Sequence, residues 1–278
     1  GTLMADAIRA AAGVPGFLDA VQVHMVETSP VLQSRQRETL QSARLPVMWH
    51  ADIDALPDGP MIVLANEFLD ALPVRQYVYQ KGTWHHRAVT WADGAFKFVA
   101  ADAVDPDLIP APFRTAAEGA IYEDSPAVLA VTKNLAGRLS AQGGAALFID
   151  YGHTVGGLGE TLQAVSRHGY ADPLAEPGDV DLTAHVDFAA LVACARDAGA
   201  AVWGPLTQAA LLQRLGIDER AATLAAAIGT ERAGEISTQH RRLTAVDAMG
   251  HLFKALAITH PAQPAPPSFE TAIPMRDR

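Results

Sequence analysis

The segment MIVLANEFLDALPV, residues 61–74, constrains the fold more than any other part of the sequence. It begins with an uninterrupted apolar run at 61–65, which is typical of a strand buried on both faces of a parallel sheet. Asn66 and Glu67 follow directly, and Asp70 comes shortly after them. Because ligands of open parallel sheets bind beyond the carboxyl ends of the strands, this strand end predicts a functional site.

The segments before this strand predict an α/β fold. Residues 1–12 and 31–43 have helical composition, whereas 21–26 and 45–49 have the pattern of short strands. Strands and helices that alternate at short spacing are the signature of a parallel α/β sheet.

The region 74–100 departs from this alternation. Its β-rich runs are separated by Lys81-Gly82 and Asp93-Gly94, which are hairpin turn signals. We therefore predict an antiparallel β-meander that is inserted into the sheet protein.

The second half of the chain returns to the α/β pattern. Residues 145–149 form an apolar run. The segment 154–186 contains several Gly and Pro residues and is longer than a simple connecting loop, so we predict that it is a functional loop. Residues 207–257 are rich in Ala and Leu and are predicted to be helical. We expect one domain over 1–278, with a helical extension at 205–260.

The composition narrows the function classes. The formal net charge is −10, and nucleic acids and anionic membranes both favour clustered Lys and Arg, so neither is an expected partner. No run approaches the ~20 apolar residues of a membrane span. The single cysteine, Cys194, excludes an internal disulfide and favours a reducing compartment.

Acidic residues follow several of the predicted strands. Glu27 and Asp52 come after 21–26 and 45–49, and Asp150 comes after 145–149. A carboxylate such as Glu27 can accept both hydroxyls of a ribose. It can also simply lie near a helix N-terminus, where the dipole favours an acid, and the sequence leaves both interpretations open.

A metal centre is the alternative for the histidines. His185 and Asp187 have the His-x-Asp spacing of a facial triad, and His240 or His251 could supply the third ligand. The surrounding residues have the pattern of a loop that enters a helix, which disfavours this arrangement. We predict no metal.

Five stretches resemble the MidA-type S-adenosylmethionine-dependent methyltransferases, the family of the mitochondrial complex I assembly methyltransferase. Their order and spacing fit that family across essentially the whole chain. The stretches are 65–73 (ANEFLDALP), 148–152 (FIDYG), 181–188 (DLTAHVDF), 204–208 (GPLTQ) and 252–261 (LFKALAITHP).

The resemblance implies a Rossmann-like class I methyltransferase sheet with an inserted antiparallel β-meander and additional helices, and S-adenosyl-L-methionine as cofactor. The family's cofactor loop reads ELGPGRGTL, and this chain begins with Gly1, Thr2 and Leu3. The resemblance therefore implies an N-terminally truncated chain that lacks the first strand and most of the glycine loop.

The resemblance also implies roles for single residues. Glu27 would bind the ribose, Asp52 would lie near the adenine, and Glu67 would line the methyl-transfer pocket. The residues implied to bind the cofactor are Gly1, Thr2, Glu27, Asp52 and Asn66. The residues implied for catalysis are Asn66, Glu67, Asp70 and Asp150, and those for the acceptor are Tyr151 and His185.

The implied acceptor is an arginine side chain of a protein. Arginine stays protonated, and carboxylates orient it best in bidentate geometry. If the chain turns helical after Asn66, Glu67 and Asp70 share a face and could clamp one guanidinium. The alternative is that Asp70 only caps the turn.

By resemblance, the substrate is a complex I core subunit or its bacterial counterpart. We expect a bacterial cytoplasmic protein, or a mitochondrial matrix protein in a eukaryote. Two alternatives stay open: a methyltransferase for a small molecule, and a non-catalytic assembly scaffold that binds a protein partner.

Overall fold

The computed structural model describes residues 1–43, 45–166, 169–228 and 230–270. The chain divides into two compact units, Gly1–Gly59 and Pro60–Arg278. Over the described residues, no helix combines the length and the apolar character that a membrane crossing requires.

The first unit is built around a parallel pair of strands. Its elements in chain order are α1 (Thr2–Ala11), α2 (Phe17–Ala20), β1 (Val23–Val26), α3 (Pro30–Thr39) and β2 (Val47–His50). Strands β1 and β2 are parallel and are connected by α3. Helix α3 begins where expected, because Ser29 caps it and proline occupies its first position.

The second unit contains the remaining elements. Its strands are β3 (Met61–Asn66), β4 (Arg75–Gln80), β5 (Thr83–Ala92), β6 (Ala95–Ala103), β7 (Ile121–Asp124), β8 (Gly144–His153), β9 (Gln163–Ser166), β10 (Gly169–Ala171), β11 (Asp181–Thr183), β12 (Val186–Asp187), β13 (Ala201–Thr207) and β14 (Phe253–Thr259). Its helices are α4 (Pro126–Gln142), α5 (Phe188–Asp197), α6 (Gln208–Arg214), α7 (Ile217–Ile228), α8 (Thr230–Thr244) and α9 (Met249–Leu252).

Strand β8 is the centre of the main sheet. It pairs in parallel with β3 and, further along, with β12, and it pairs antiparallel with β14, which in turn pairs antiparallel with β13. Phe148 on β8 is fully buried, as are Leu139 of α4 and Phe188 of α5. The parallel pairing of β3 with β8 places the ends of both strands at the same edge.

The predicted β-meander is confirmed. Strands β4, β5 and β6 are joined by the predicted hairpin turns and form a sheet with β7 in the order β6-β5-β4-β7. Both residues of each turn have positive φ: Lys81 at 52° and Gly82 at 81°, and Asp93 at 54° and Gly94 at 78°. Two consecutive positive φ angles match the right-handed twist of a hairpin.

The helical prediction for 207–257 is confirmed by α6, α7, α8 and α9 and is wrong from Phe253 onward. From Phe253 the chain is strand β14, which pairs with β8 along its whole length. The run from Ala255 to Ile258 is buried on both faces, and periodicity cannot separate such a strand from a buried helix.

The segment 154–186 is not one irregular loop. Strands β9, β10 and β11 form a small antiparallel sheet within it. Strands of three or four residues are too short to show a period of two in a Gly- and Pro-rich segment.

Candidate active site

The turn after β3 begins with a strained and exposed residue, Glu67. The Glu67 amide donates to the Ile149 carbonyl at 3.0 Å, which extends the β3–β8 pairing by one residue. Glu67 then adopts φ of 48°, a left-handed conformation that costs a non-glycine residue ~1–2 kcal/mol. Its carboxylate accepts a hydrogen bond from the Asn66 amide group at 3.1 Å, and both side chains are exposed. The strand end therefore presents a carboxylate to solvent from a backbone position that is costly to maintain.

Asp150 lies beneath this turn and is 1% exposed. One of its carboxylate oxygens accepts hydrogen bonds from the amides of Phe68, Leu69 and Asp70 at 3.3, 3.0 and 3.2 Å. The other oxygen accepts from the Tyr151 amide at 3.0 Å. Three consecutive backbone donors thus converge on one buried oxygen.

Asp70 is also buried, and it faces Tyr151. The Tyr151 hydroxyl donates to the Asp70 carboxylate at 2.5 Å. The Tyr151 ring makes edge contacts with His185 and Phe253, with centroid distances of 5.5 and 5.3 Å. Tyr151 therefore contacts both Asp70 and His185.

The predicted clamp of Glu67 and Asp70 is wrong. The residues after Asn66 form turns and bends rather than a helix, so the two carboxylates do not share a helical face. Asp70 is only 6% exposed and bonds to Tyr151, whereas Glu67 is exposed. The positive φ of Glu67 is the physical reason, because it redirects the chain before a helical turn can begin.

The buried carboxylates of Asp70 and Asp150 share one environment. Burial, and next the neighbouring Asp70 carboxylate, raise the pKa of Asp150 to about 7. Burial also raises the pKa of Asp70, although the Tyr151 hydrogen bond opposes this. Because two buried like charges are costly together, the pair retains a proton close to neutral pH.

Because the pair retains this proton in the folded state, we expect the free energy of unfolding to depend on pH. The unfolded Asp150 releases its proton near 3.8 and the folded one near 7, so its contribution to the free energy of unfolding is fully present below pH 3.8 and is lost as the pH rises through about 7. We expect a loss of a few kcal/mol, since one pKa unit corresponds to ~1.4 kcal/mol. The check is urea unfolding at pH 5 and pH 8 for the wild type and for Asp150→Asn. The wild type should lose more stability than the variant, and equal losses would contradict the assignment.

His185 adds a neutral group to this cluster. Its backbone amide donates to the Thr161 hydroxyl at 2.9 Å. Burial, the largest cause, and next the neighbouring His153 lower the pKa of the His185 imidazole. An uncharged imidazole therefore packs against the Tyr151 ring.

The alternative metal centre does not assemble around His185. One oxygen of the Asp187 carboxylate accepts hydrogen bonds from the amides of Ala189 and Ala190 at 2.9 and 3.1 Å and so caps α5. Across the part of the chain that the structure describes, His, Cys, Asp and Glu form no group of three that could hold a metal ion.

Glu123 belongs to the same region and was missed in the sequence. Its carboxylate accepts from the Gln76 amide group at 2.6 Å, from the Thr161 amide and hydroxyl at 3.0 and 2.5 Å, and from the Leu162 amide at 3.2 Å. It thereby ties the meander sheet to the segment that contacts His185. The sequence did not reveal Glu123, because its hydrogen-bond partners are distant in sequence. The only local signal is its position at the end of a short apolar run.

In the first unit, Glu27 is held in a fixed orientation at the end of β1. One carboxylate oxygen accepts from the Ser29 amide at 2.9 Å and the other from the Gln36 amide group at 3.0 Å. Gln36 in turn accepts from the Trp49 indole at 2.9 Å. The carboxylate lies just before the N-terminus of α3 and accepts from the amide of its N-cap residue, Ser29. This contact is the one expected if Glu27 has only a structural role at the helix N-terminus.

The other predicted cofactor residues lie in the same unit. A Cβ added to Gly1 would lie 3.2 Å from Thr39 Cβ, so α1 begins in close contact with α3. Thr2 is exposed in the first turn of α1. Asp52 is exposed, and its carboxylate accepts from the Asp54 amide at 2.9 Å. The Glu27 amide donates to the His50 carbonyl at 2.9 Å, which keeps Glu27 close to the segment that carries Asp52.

The predicted residues thus form two groups. Gly1, Thr2, Glu27 and Asp52 lie in the first unit, and Asn66, Glu67, Asp70, Asp150, Tyr151 and His185 lie in the second. Within the second group, Asn66 and Glu67 are exposed, whereas Asp70, Asp150 and Tyr151 are buried.

Two curated relatives carry the same activity in their names. A protein arginine methyltransferase NDUFAF7 homolog, mitochondrial, of Caenorhabditis elegans is 31% identical over 86% of this chain and 61% of its own length. The Drosophila melanogaster homolog is 33% identical over 85% of this chain and 60% of its own length. The chain therefore spans about 60% of the length of these relatives.

A solved structure has the same fold. It is a "likely methyl transferase" from Burkholderia thailandensis bound to S-adenosyl-homocysteine, with a TM-score of 0.79 and 31% identity over 98% of this chain and 72% of that one. A family model described as "Putative S-adenosyl-L-methionine-dependent methyltransferase" matches residues 1–206. The chain belongs to this family of S-adenosyl-L-methionine-dependent methyltransferases, and its class I methyltransferase fold agrees with the sequence prediction.

Proposed function

We propose that this protein transfers a methyl group from S-adenosyl-L-methionine to an arginine side chain of a protein substrate. The observation that carries the proposal is the exposed, strained Glu67 at the carboxyl end of β3, which is where the acceptor of a class I methyltransferase would need orientation. The names of the relatives support arginine as the acceptor, and the Burkholderia structure supports the cofactor.

The residues present fit the cofactor. Each oxygen of the Glu27 carboxylate uses one protein donor and retains capacity to accept a ribose hydroxyl. When bound, the cofactor would supply an electrophilic methyl group on a sulfonium.

Glu67 would hold the acceptor. Its carboxylate is exposed and is oriented by the Asn66 amide group, and a carboxylate is the best partner for a guanidinium. Methyl transfer is an in-line displacement, so alignment of the nucleophilic nitrogen is the main contribution that the protein makes. The neutral His185 adds no repulsive charge to a site that takes a cation.

The partner and compartment follow from the resemblance. We infer that the acceptor is a core subunit of respiratory complex I or its bacterial counterpart. The relatives are named as mitochondrial, which supports a mitochondrial location for a eukaryotic protein. We propose the matrix in that case, and the cytoplasm for a bacterial protein.

The test uses the intact protein. Calorimetry should detect binding of S-adenosyl-L-methionine, and mass spectrometry should find the transferred methyl group on arginine of a protein acceptor. A protein that binds no cofactor would be a scaffold instead, and a methyl group found only on small molecules would contradict the protein substrate.

Glu27→Gln tests the cofactor assignment separately. The amide has one acceptor oxygen where the carboxylate has two, and a charge-assisted hydrogen bond contributes ~1.5–3 kcal/mol. We therefore expect the Kd for S-adenosyl-L-methionine to rise ~10- to 100-fold. The control is Glu38→Gln on the exposed face of α3, which should leave the Kd unchanged. Equal effects of both variants would remove Glu27 from the ribose site.

A further inference from the structure

We infer that Asp150 is a positioning residue, which fixes the backbone of the turn that carries Asn66 and Glu67 and does not itself touch the acceptor. The inference deepens the proposed function, because it rests on Glu67 as the group that orients arginine. It assigns Asp150 a different role from that implied by the family resemblance, which placed it among the catalytic residues.

Burial separates Asp150 from the acceptor. The residue is 1% exposed, and the amides of Phe68, Leu69 and Asp70 all point at one of its oxygens. A carboxylate that accepts three consecutive amides acts like the cap of a helix N-terminus, although no helix follows here.

The backbone of Glu67 requires such support. A residue with positive φ keeps that conformation only when its surroundings impose it. Before Glu67, β3 is paired with β8, and the Glu67 amide still donates to Ile149. After Glu67, the three amides are bound by Asp150. Residues of β8 therefore hold the turn on both sides of the strained position.

Tyr151 completes the arrangement. Its amide donates to the second oxygen of Asp150, and its hydroxyl donates to the side chain of Asp70. The adjacent pair Asp150-Tyr151 thus holds both the backbone and one side chain of the turn. Asp70 holds the turn from inside through its hydrogen bond from Tyr151, whereas Asp150 holds it through the backbone amides.

Two variants test the inference in the intact protein. Asp150→Asn keeps the shape of the side chain but replaces one of its two acceptor oxygens by an NH2 donor, and Tyr151→Phe keeps the ring contacts but removes the hydroxyl. We expect kcat for arginine methylation to fall ~10- to 100-fold in Asp150→Asn, since small displacements of a positioning group have effects of this size. The Kd for the cofactor should change less than ~3-fold, because the turn and not Glu27 is disturbed.

Hydrogen exchange measured by NMR provides a readout that does not need activity. In Asp150→Asn the amides of Phe68, Leu69 and Asp70 should exchange at least ~10-fold faster. Asp187→Asn is the matched control, because Asp187 also accepts two backbone amides. It should accelerate exchange at Ala189 and Ala190 only and leave kcat within ~3-fold of the wild type.

The outcomes separate the two proposals. A wild type without methyl transfer would overturn the proposed function, while the exchange rates would still decide whether Asp150 holds the turn. Unchanged exchange at the three amides would overturn the inference, and so would faster exchange with an unchanged kcat. If Asp150→Asn does not fold, Tyr151→Phe decides, with faster exchange at Asp70 and a lower kcat as the supporting result.

Discussion

Glu67→Gln should lower kcat for arginine methylation at least ~100-fold and leave the Kd for S-adenosyl-L-methionine within ~3-fold of the wild type. The amide has nearly the same shape as the carboxylate and can keep a contact with Asn66, but it lacks the charge that a guanidinium requires. The measurement is single-turnover methyl transfer combined with calorimetry of cofactor binding.

A matched control makes this result specific. Glu118 is an exposed glutamate of the second unit whose carboxylate accepts from the Lys81 amide. Glu118→Gln should leave kcat unchanged. A Glu67→Gln protein with wild-type turnover would remove Glu67 from the mechanism.

Gly144→Ala should destabilise the protein by ~3 kcal/mol or more, which is the largest stability effect that we expect from a single methyl group. Gly144 has φ of 111° and pairs directly with Met61 at the start of β3 and β8. An added Cβ would lie 2.0 Å from the Met61 carbonyl oxygen. Since the obstacle is backbone, the two strands must separate. Chemical denaturation measures the loss.

Gly137→Ala is the control for this prediction. Gly137 lies inside α4, and an added Cβ there would have nothing within 4 Å. Alanine has the higher helix propensity, so this variant should be more stable by ~0.5–1 kcal/mol. A Gly144→Ala protein as stable as the wild type would show that β3 and β8 tolerate a wider spacing.

The sequence predicted those parts of the fold that local patterns determine. Strand β3 and the hairpin turns at Gly82 and Gly94 were predicted from adjacent residues, and each is present. The expected burial of β3 on both faces is wrong, because Ile62 and Leu64 are exposed on one face. Strand β14 was predicted as helix because a strand buried on both faces has no alternation to reveal it. The short strands β9 to β11 escaped prediction because they contain too few residues to show a period.

The sequence predicted which acidic residues lie at the strand ends, but it did not predict how their side chains are arranged. The acids at the ends of β3 and β8 could be found because parallel strands bring their carboxyl ends together. The φ angle of Glu67 determines which of these acids is exposed. Residue type alone does not predict that a glutamate adopts the left-handed backbone conformation. The hydrogen-bond network of Glu123 depends on tertiary contacts that no local pattern records.

The hydrogen bonds of Asp150 also determine when the site can form during folding. Asp150 binds amides that lie 80 to 82 positions earlier in the chain, and the whole meander and α4 lie between them. Closing a loop of this length has an entropic cost that must be met before the contacts form. The turn at Glu67 can therefore reach its final geometry only after β3 and β8 have paired, and partial unfolding that separates these strands would remove the site while the meander hairpins persist.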